Sequence, residues 1–237
     1  MSSSRERPTL PDMPPELDTF DCTVTLPEWR LHLASLSLNR QRELGNVMDV
    51  AAQGAFSELQ RGYPDGRLGA HATVRALRER LTALGHDPAA AAPCSERLLR
   101  DIIAGGGIRR GCLAWEFLSV LTIRSAAPWT ALDRRALRTP LVFRRGETGE
   151  ALTLDEGRLD CAGMPVLADR HGVKASPWTL PAPAQLEDLD EVVFVCFLPA
   201  DLYRLVNPRD HLGRVVWLTW AYRFVFERSC RYRGGTG

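Results

Sequence analysis

The sequence predicts an α+β domain in which a helical N-terminal half precedes a half rich in β-strands. Two patterns along the 237 residues support this fold class. Between residues 44 and 123, apolar side chains recur at spacings of three and four, which is the period of an amphipathic helix. After Pro128 the apolar runs are short and are separated by turns that carry glycine or proline, as is typical of strands in a sheet.

The first half contains a predicted leader, two predicted strands and four predicted helices. Residues 1–18 include four prolines and three consecutive serines, so we expect an unstructured leader before a single domain over 19–237. A glycine at Gly85 closes the second helix in the position that favours a left-handed residue. The predicted strands are residues 22–26 and 31–38, and the predicted helices are residues 44–59, 74–84, 96–104 and 113–123.

The second half contains four predicted strands and a final helix. The residues at 192–198 are apolar on both alternating faces, and this pattern predicts a central strand that is buried on both sides. The predicted strands are residues 141–143, 151–154, 164–168 and 192–198, and the predicted helix is residues 212–226.

Composition excludes several classes of protein. The longest apolar run is about eight residues, far short of the roughly 20 that a membrane-spanning helix needs, and the N-terminus has no apolar signal segment. We therefore expect a cytoplasmic protein with no membrane contact. The six cysteines are widely separated and have no zinc-type spacing, so neither a metal nor another cofactor is predicted.

The charges balance overall but are unevenly distributed. Thirty basic residues face 29 acidic ones, so net charge gives no argument for binding nucleic acid. Lys174 is the only lysine, and the remaining 29 basic residues are arginine. Near the C-terminus, Arg228, Arg231 and Arg233 form a basic tail that could contact phosphate, with a solvated helix face as the alternative.

Five segments between residues 70 and 200 occur in the order of one known family. Residues 85–88 (GHDP) and 92–100 (APCSERLLR) match Gly-x-x-Pro followed by Arg-Pro-Ser-x-Glu-x-Leu-x-Arg. Residues 128–133 (PWTALD) match Pro-x-His-Ala-Phe-Asp, and residues 144–150 (RRGETGE) match an Arg-x-x-x-x-Gly-Glu turn. Residues 166–169 (VLAD) match a strand ending in Ile-Ala-Asp. On these segments the chain resembles the B3/B4 domain of the phenylalanyl-tRNA synthetase β subunit, as a divergent stand-alone member.

The resemblance implies a mixed or antiparallel sheet in the C-terminal half and a pocket for the aminoacylated 3′ end of a tRNA. In the synthetases this domain hydrolyses tyrosine that is wrongly attached to the phenylalanine tRNA. Two polar groups of that editing site differ here. The family histidine is replaced by Thr130, and the family's glycine-rich loop with its glutamate falls on residues 176–183, which contain no glutamate.

Four residues are candidates for catalysis. Thr130, Ser176 and Thr179 lie in the segments that the resemblance assigns to the pocket, and their hydroxyls could hydrogen-bond around an ester carbonyl. Glu116 lies on a predicted apolar helix, where a carboxylate is either a buried functional group or a group on the solvated face.

Four further residues are candidates for binding the substrate. Trp129 and Trp178 could stack on an adenine, with packing in the core as the alternative. Asp133 could bind the substrate or cap the turn that follows it. Arg144 could contact phosphate or extend into solvent.

Three functions fit these candidates. The first is a deacylase that hydrolyses the ester of a charged tRNA, and the second is a transferase that passes the aminoacyl group from tRNA to a small amine acceptor. The third is a binding or interaction module without catalysis. The first two share one partner, so charged tRNA is the predicted ligand.

Overall fold

The computed structural model of the chain describes residues 20, 22–38, 41–63, 66–87, 92–105, 107–154, 157–187, 189–212 and 215. It confirms the α+β class, with most helices in the N-terminal half and most strands in the C-terminal half. Among the described helices, none is both long enough and apolar enough to cross a bilayer. The predicted leader and most of the predicted helix at 212–226 lie outside the described residues.

Six helices have bounds within the described ranges; four match the predicted apolar periods, and the two short ones near β9 were not predicted. In α2 (Ala72–Ala83), the N-cap His71 accepts a hydrogen bond from the backbone N–H of Thr73 at 3.1 Å, and Gly85 beyond its C-terminus has a φ of +85°. Nearly every residue of α4 (Leu113–Ser125) is buried, which is expected of a helix without a polar face. The helices are α1 (Gln41–Gly62), α2 (Ala72–Ala83), α3 (Cys94–Ala104), α4 (Leu113–Ser125), α5 (Pro183–Leu186) and α6 (Ala200–Val206).

In the part of the chain that the structure describes, nine strands form two sheets and a separate hairpin. The strands are β1 (Cys22–Val24), β2 (Trp29–Ser37), β3 (Trp129–Asp133), β4 (Leu141–Arg145), β5 (Ala151–Leu154), β6 (Gly157–Asp160), β7 (Pro165–Asp169), β8 (Gly172–Ala175) and β9 (Glu191–Pro199). One sheet has the order β2-β9-β3 and is antiparallel throughout. The other has the order β1-β4-β7-β8, with β1 parallel to β4 and the other pairs antiparallel. Strands β5 and β6 form the hairpin.

The central position of residues 192–198 is confirmed, because β9 lies between β2 and β3. Its two faces pack into two different parts of the core. Val192, Phe194, Cys196 and Leu198 join a cluster formed largely with the helices. Val193, Val195 and Phe197 join a second cluster that includes residues of the four-stranded sheet. The three-stranded sheet therefore lies between most of the helices and the second sheet, while Leu77 and Leu81 pack into the second cluster.

Candidate functional site

A cleft of about 250 Å³ lies where the end of β3 meets β5, β8 and the chain that leads into α5. Ligand pockets typically measure roughly 300 to 1,000 Å³, so this cleft suits a group about as large as one amino acid. Its polar lining consists of Asp133, Thr153, Lys174, Thr179 and Gln185. Its apolar lining consists of Ala131, Leu132, Leu152, Leu154, Leu180, Pro181 and Leu186.

Asp133 lies at the end of β3, at the edge of the cleft. Its Oδ1 accepts a hydrogen bond of 2.8 Å from the backbone N–H of Arg135, and it caps a single turn of 3₁₀ helix over Arg134–Ala136. The capping alternative is therefore confirmed by the geometry. The second carboxylate oxygen makes no hydrogen bond within the described part of the chain, so it can accept one from a ligand in the cleft.

Ser176 and Thr179 belong to one tight turn between β8 and α5. The hydroxyl oxygen of Thr179 accepts a hydrogen bond of 2.8 Å from the backbone N–H of Ser176. The hydroxyl oxygen of Ser176 accepts one of 3.3 Å from the backbone N–H of Trp178. Thr179 also lines the cleft, whereas Ser176 is fully buried behind it. Both hydroxyls thus hold the shape of the loop.

Cys94, at the start of α3, joins this turn to β3. Its backbone N–H donates to the carbonyl oxygen of Pro177 at 2.9 Å, and its thiol donates to the carbonyl oxygen of Trp129 at 3.4 Å. Burial raises the pKa of the thiol to about 12, so it remains protonated and able to donate. A helix N–H that would otherwise be unpaired therefore fixes the loop beside the cleft.

Lys174 extends from β8 into the lining of the cleft. Its Nζ lies 3.4 Å from Oδ1 of Asp169, whose side chain is fully buried. Burial opposes ionisation of Asp169, but hydrogen bonds from the backbone N–H groups of His171 and Arg138, together with Lys174, lower its pKa overall. The carboxylate therefore stays charged at neutral pH and holds the ammonium group in place.

Three other predicted residues lie in the core next to the cleft but are not part of its lining. The indole N–H of Trp129 donates to the hydroxyl of Ser125 at 3.0 Å, and the ring is fully buried. The ring of Trp178 packs edge-on against His86, with 5.2 Å between ring centroids. Thr130 is also fully buried, and its hydroxyl has no hydrogen-bond partner among the described residues.

Glu116 is buried rather than solvent-facing, but it does not line the cleft. One carboxylate oxygen accepts a hydrogen bond of 3.1 Å from the backbone N–H of Gly111. The other lies 3.5 Å from Arg110, which also pairs with Asp49 at 2.7 Å. Desolvation by burial is the largest influence on this carboxyl group and raises its pKa. The structure thus shows a buried carboxylate that hydrogen-bonds to the backbone just before the start of α4.

Arg144 lies near the end of β4 and pairs with Glu150 across the turn that follows the strand. Its guanidinium makes two hydrogen bonds of 2.7 Å to the two carboxylate oxygens of Glu150. This paired geometry lowers the pKa of Glu150 and fixes the turn. Among the described lining residues, the cation is Lys174, and Arg144 does not line the cleft.

The structure thus brings together Asp133 and Thr179 among the predicted site residues, and it adds two groups that sequence reasoning did not select. These are Lys174 and the apolar wall from the β5–β6 hairpin, represented by Leu152 and Leu154. The lone lysine was visible in the sequence, but its position in the cleft depends on the folding of β8. Arg228, Arg231 and Arg233 lie outside the described residues.

Comparison with known proteins adds no assignment to this geometry. Neither the models of known protein families nor the curated proteins include a match to this chain. Across the described ranges, no three His, Cys, Asp or Glu side chains are grouped so that they could hold a metal ion.

Proposed function

We propose that this protein binds the aminoacylated 3′ end of a tRNA in the cleft and hydrolyses the aminoacyl ester. One observation supports the proposal more than any other. The two segments that the resemblance assigns to the pocket, residues 128–133 and 176–183, are far apart in the sequence, yet both contribute to the lining of one cleft. The two segments come from separate short motifs, so their shared cleft is what supports the proposal.

The chemistry of the lining suits an aminoacyl group. The unpaired carboxylate oxygen of Asp133 would accept a hydrogen bond from the α-ammonium group. Leu152, Leu154 and Leu180 would contact the side chain of the amino acid. Ester hydrolysis by water depends on orienting the carbonyl and stabilising the charge that develops on its oxygen, so it needs no covalent nucleophile.

The contact with the rest of the tRNA would be electrostatic. Arg228, Arg231 and Arg233 are proposed to meet its phosphates, in which case affinity falls with rising salt because neutralised phosphates release counterions. Replacing all three arginines with alanine would then flatten the dependence of affinity on salt. If the dependence of affinity on salt is unchanged in this variant, the three arginines are not part of the proposed interface.

The proposal is tested by incubating the protein with a pool of charged tRNAs and measuring the loss of the ester. We expect the protein to remove the ester when no amine is added, and we expect the rate of ester loss to be the same when a small amine is present. Ester loss that requires the amine, with an amide as product, would replace hydrolysis with transfer. Binding without loss of the ester under either condition would indicate a module without catalysis.

A matched pair of variants assigns the activity to the cleft. Asp133→Asn keeps an oxygen that can accept from the N–H of Arg135 but removes the charge, so we expect KM to rise about tenfold, equivalent to about 1.4 kcal/mol. Arg158→Gln, on an exposed part of β6, changes a charge that is not in the cleft lining. Equal activity of both variants and the wild type would contradict the assignment.

A further inference from the structure

The chain places its only lysine in the cleft. All 29 other basic residues are arginine, and Lys174 is the cation of the described lining. Lysine and arginine differ in what they offer a ligand. The ammonium group is a compact point charge, whereas the guanidinium is a broad planar fork suited to carboxylates and phosphates. A lysine at this position therefore favours contact with one oxygen atom over a bidentate contact with an anion.

Lys174 is positioned by its ion pair with Asp169 and is still partly exposed. Its side chain is 23% exposed, and the Asp169 side chain beneath it is fully buried. Asp169 is itself fixed by hydrogen bonds from the backbone N–H groups of His171 at 2.7 Å and Arg138 at 3.0 Å. An ammonium group has three N–H donors, and the ion pair with one carboxylate oxygen occupies one of them. Among the described residues no second acceptor is paired with Lys174, so two donors are left for a ligand.

We infer that Lys174 contacts the carbonyl oxygen of a bound aminoacyl ester and stabilises the negative charge that develops on it during hydrolysis. This inference rests on the proposed function and adds a catalytic residue to it. With Asp133 taking the α-ammonium group, the charged side chains of the described lining match the two polar ends of an aminoacyl group. The leucine wall then assigns an apolar side chain to the amino acid.

The reaction balances with water as the only co-reactant. The water oxygen bonds to the carbonyl carbon, and the electron pair of the C=O bond moves to the oxygen beside Lys174. When the C=O bond re-forms, the bond from carbon to the ribose oxygen breaks. One proton of the water passes to that ribose oxygen and the other to solvent, giving a free carboxylate and an uncharged tRNA end. A cation in a partly desolvated cleft favours the intermediate more than the neutral ester.

A single lysine allows a direct test on the unaltered protein. Reductive methylation modifies Lys174 and the N-terminal amine, and mass spectrometry follows the two separately. The probes are adenosines that carry valine, leucine, phenylalanine or glutamate through a 3′ amide in place of the ester. We expect the apolar probes to slow the methylation of Lys174 at least fivefold and to leave that of the N-terminal amine unchanged.

The outcomes separate this inference from the proposed function. A probe that binds, as measured by calorimetry, without protecting Lys174 would overturn the inference and leave the proposed function standing. Failure of every probe to bind would overturn both. Binding of the glutamate probe alone would overturn the assignment of an apolar amino acid.

Variants then test whether the contact is catalytic. We expect Lys174→Met to lower kcat roughly 100-fold, as is usual when one stabilising group is lost, with little change in KM. Lys174→Arg keeps the charge and should retain part of the rate. Arg158→Met removes an exposed cation outside the cleft and should leave kcat unchanged. Unaltered kcat in Lys174→Met would show that the lysine does not act on the ester.

Discussion

The hydroxyl of Thr179 accepts a hydrogen bond of 2.8 Å from the backbone N–H of Ser176, three residues earlier in the chain. The backbone N–H of Thr179 in turn donates to the carbonyl oxygen of Ser176 at 3.0 Å. These two residues are both candidates for catalysis, and the structure shows that they also determine each other's position. The wall of the cleft formed by Thr179 and Leu180 depends on this closed turn.

We expect Thr179→Val to destabilise the protein by about 1 to 3 kcal/mol, because the buried N–H of Ser176 loses its acceptor. Thr179→Ser keeps the hydroxyl and should lose less than about 1 kcal/mol. The free energy of unfolding is measured by urea denaturation. Thr153→Val, at an exposed position in the same cleft, serves as the control and should change stability by no more than about 0.5 kcal/mol. Equal stability of Thr179→Val and wild type would contradict the role of this hydrogen bond.

Thr130→Val is expected to stabilise the protein by about 1 kcal/mol. The Thr130 side chain is fully buried and its hydroxyl has no partner among the described residues, so valine removes an uncompensated polar group at nearly constant shape. Thermal or urea unfolding gives the stability, and Thr130→Ala, which also leaves a cavity, should be destabilising. A destabilised Thr130→Val would mean that the hydroxyl is bonded. In the hydrolysis assay, a rate loss of roughly 10- to 100-fold in Thr130→Ala would assign the Thr130 hydroxyl a role in the reaction.

Glu116→Gln is expected to be at least as stable as the wild type at pH 7. Burial raises the pKa of this carboxyl group in the folded state. As pH rises above 4.5, the unfolded chain therefore releases the proton before the folded chain does, and the wild type loses stability. Glutamine can still accept from the N–H of Gly111. Urea unfolding at pH 4 and pH 7 tests this, with Glu58→Gln on the exposed face of α1 as the control. A large loss of stability at pH 7 would show that the pair with Arg110 outweighs burial.

His32 is expected to make the protein less stable in mild acid. Burial, with a smaller effect from Arg209, lowers its pKa from 6.5 to about 4. Between these values the unfolded chain binds a proton that the folded chain excludes, so the free energy of unfolding falls by about 1.4 kcal/mol per pH unit as pH decreases. His71 and His86 also have lowered pKa values and add to this effect.

Unfolding measured between pH 4.5 and 6.5 should therefore be less dependent on pH in His32→Leu than in the wild type. His171→Leu, at an exposed turn, is the matched control. The same slope in His32→Leu and wild type would show that His32 is already protonated in the folded protein across this range.

Gly146→Ala is expected to destabilise the protein by more than about 2 kcal/mol. A Cβ atom at this position would lie 1.9 Å from the carbonyl oxygen of Cys161, which belongs to the backbone and cannot move independently. Gly54→Ala in α1 is the matched control, because a Cβ there meets no atom within 4 Å apart from the adjacent helix backbone and should stabilise the helix by about 0.5 to 1 kcal/mol. Similar effects of the two substitutions would contradict the close approach at Cys161.

The helices and the central strand were predictable because their signals are local. The apolar period of α1 through α4 needs only a dozen residues of sequence, and β9 carries seven consecutive apolar residues. By contrast, β3 has only five residues, and what makes it a strand is its pairing with β9, more than 50 residues later. Strand β6 is largely exposed and polar, so it has no apolar pattern to recognise.

The candidate site was predictable only in part for the same reason. Asp133 and Thr179 were found because they lie in short motifs that can be compared with a family pattern. Lys174 reaches the cleft because β8 pairs with β7, and Leu152 reaches it because the β5–β6 hairpin folds back toward β8. Such contacts between distant segments leave no trace in local spacing.

The order of the central sheet has a consequence for the growing chain on the ribosome. Strands β2 and β3 pair with β9 and not with each other, so no hydrogen-bonded ladder of this sheet can form until residues 191–199 have been synthesised. Until then, the backbone groups and apolar side chains of β2 remain without their partner strand while more than 150 further residues are synthesised. Domains dominated by such non-local pairings fold slowly, so the nascent chain has a long interval in which these edges are open to wrong partners.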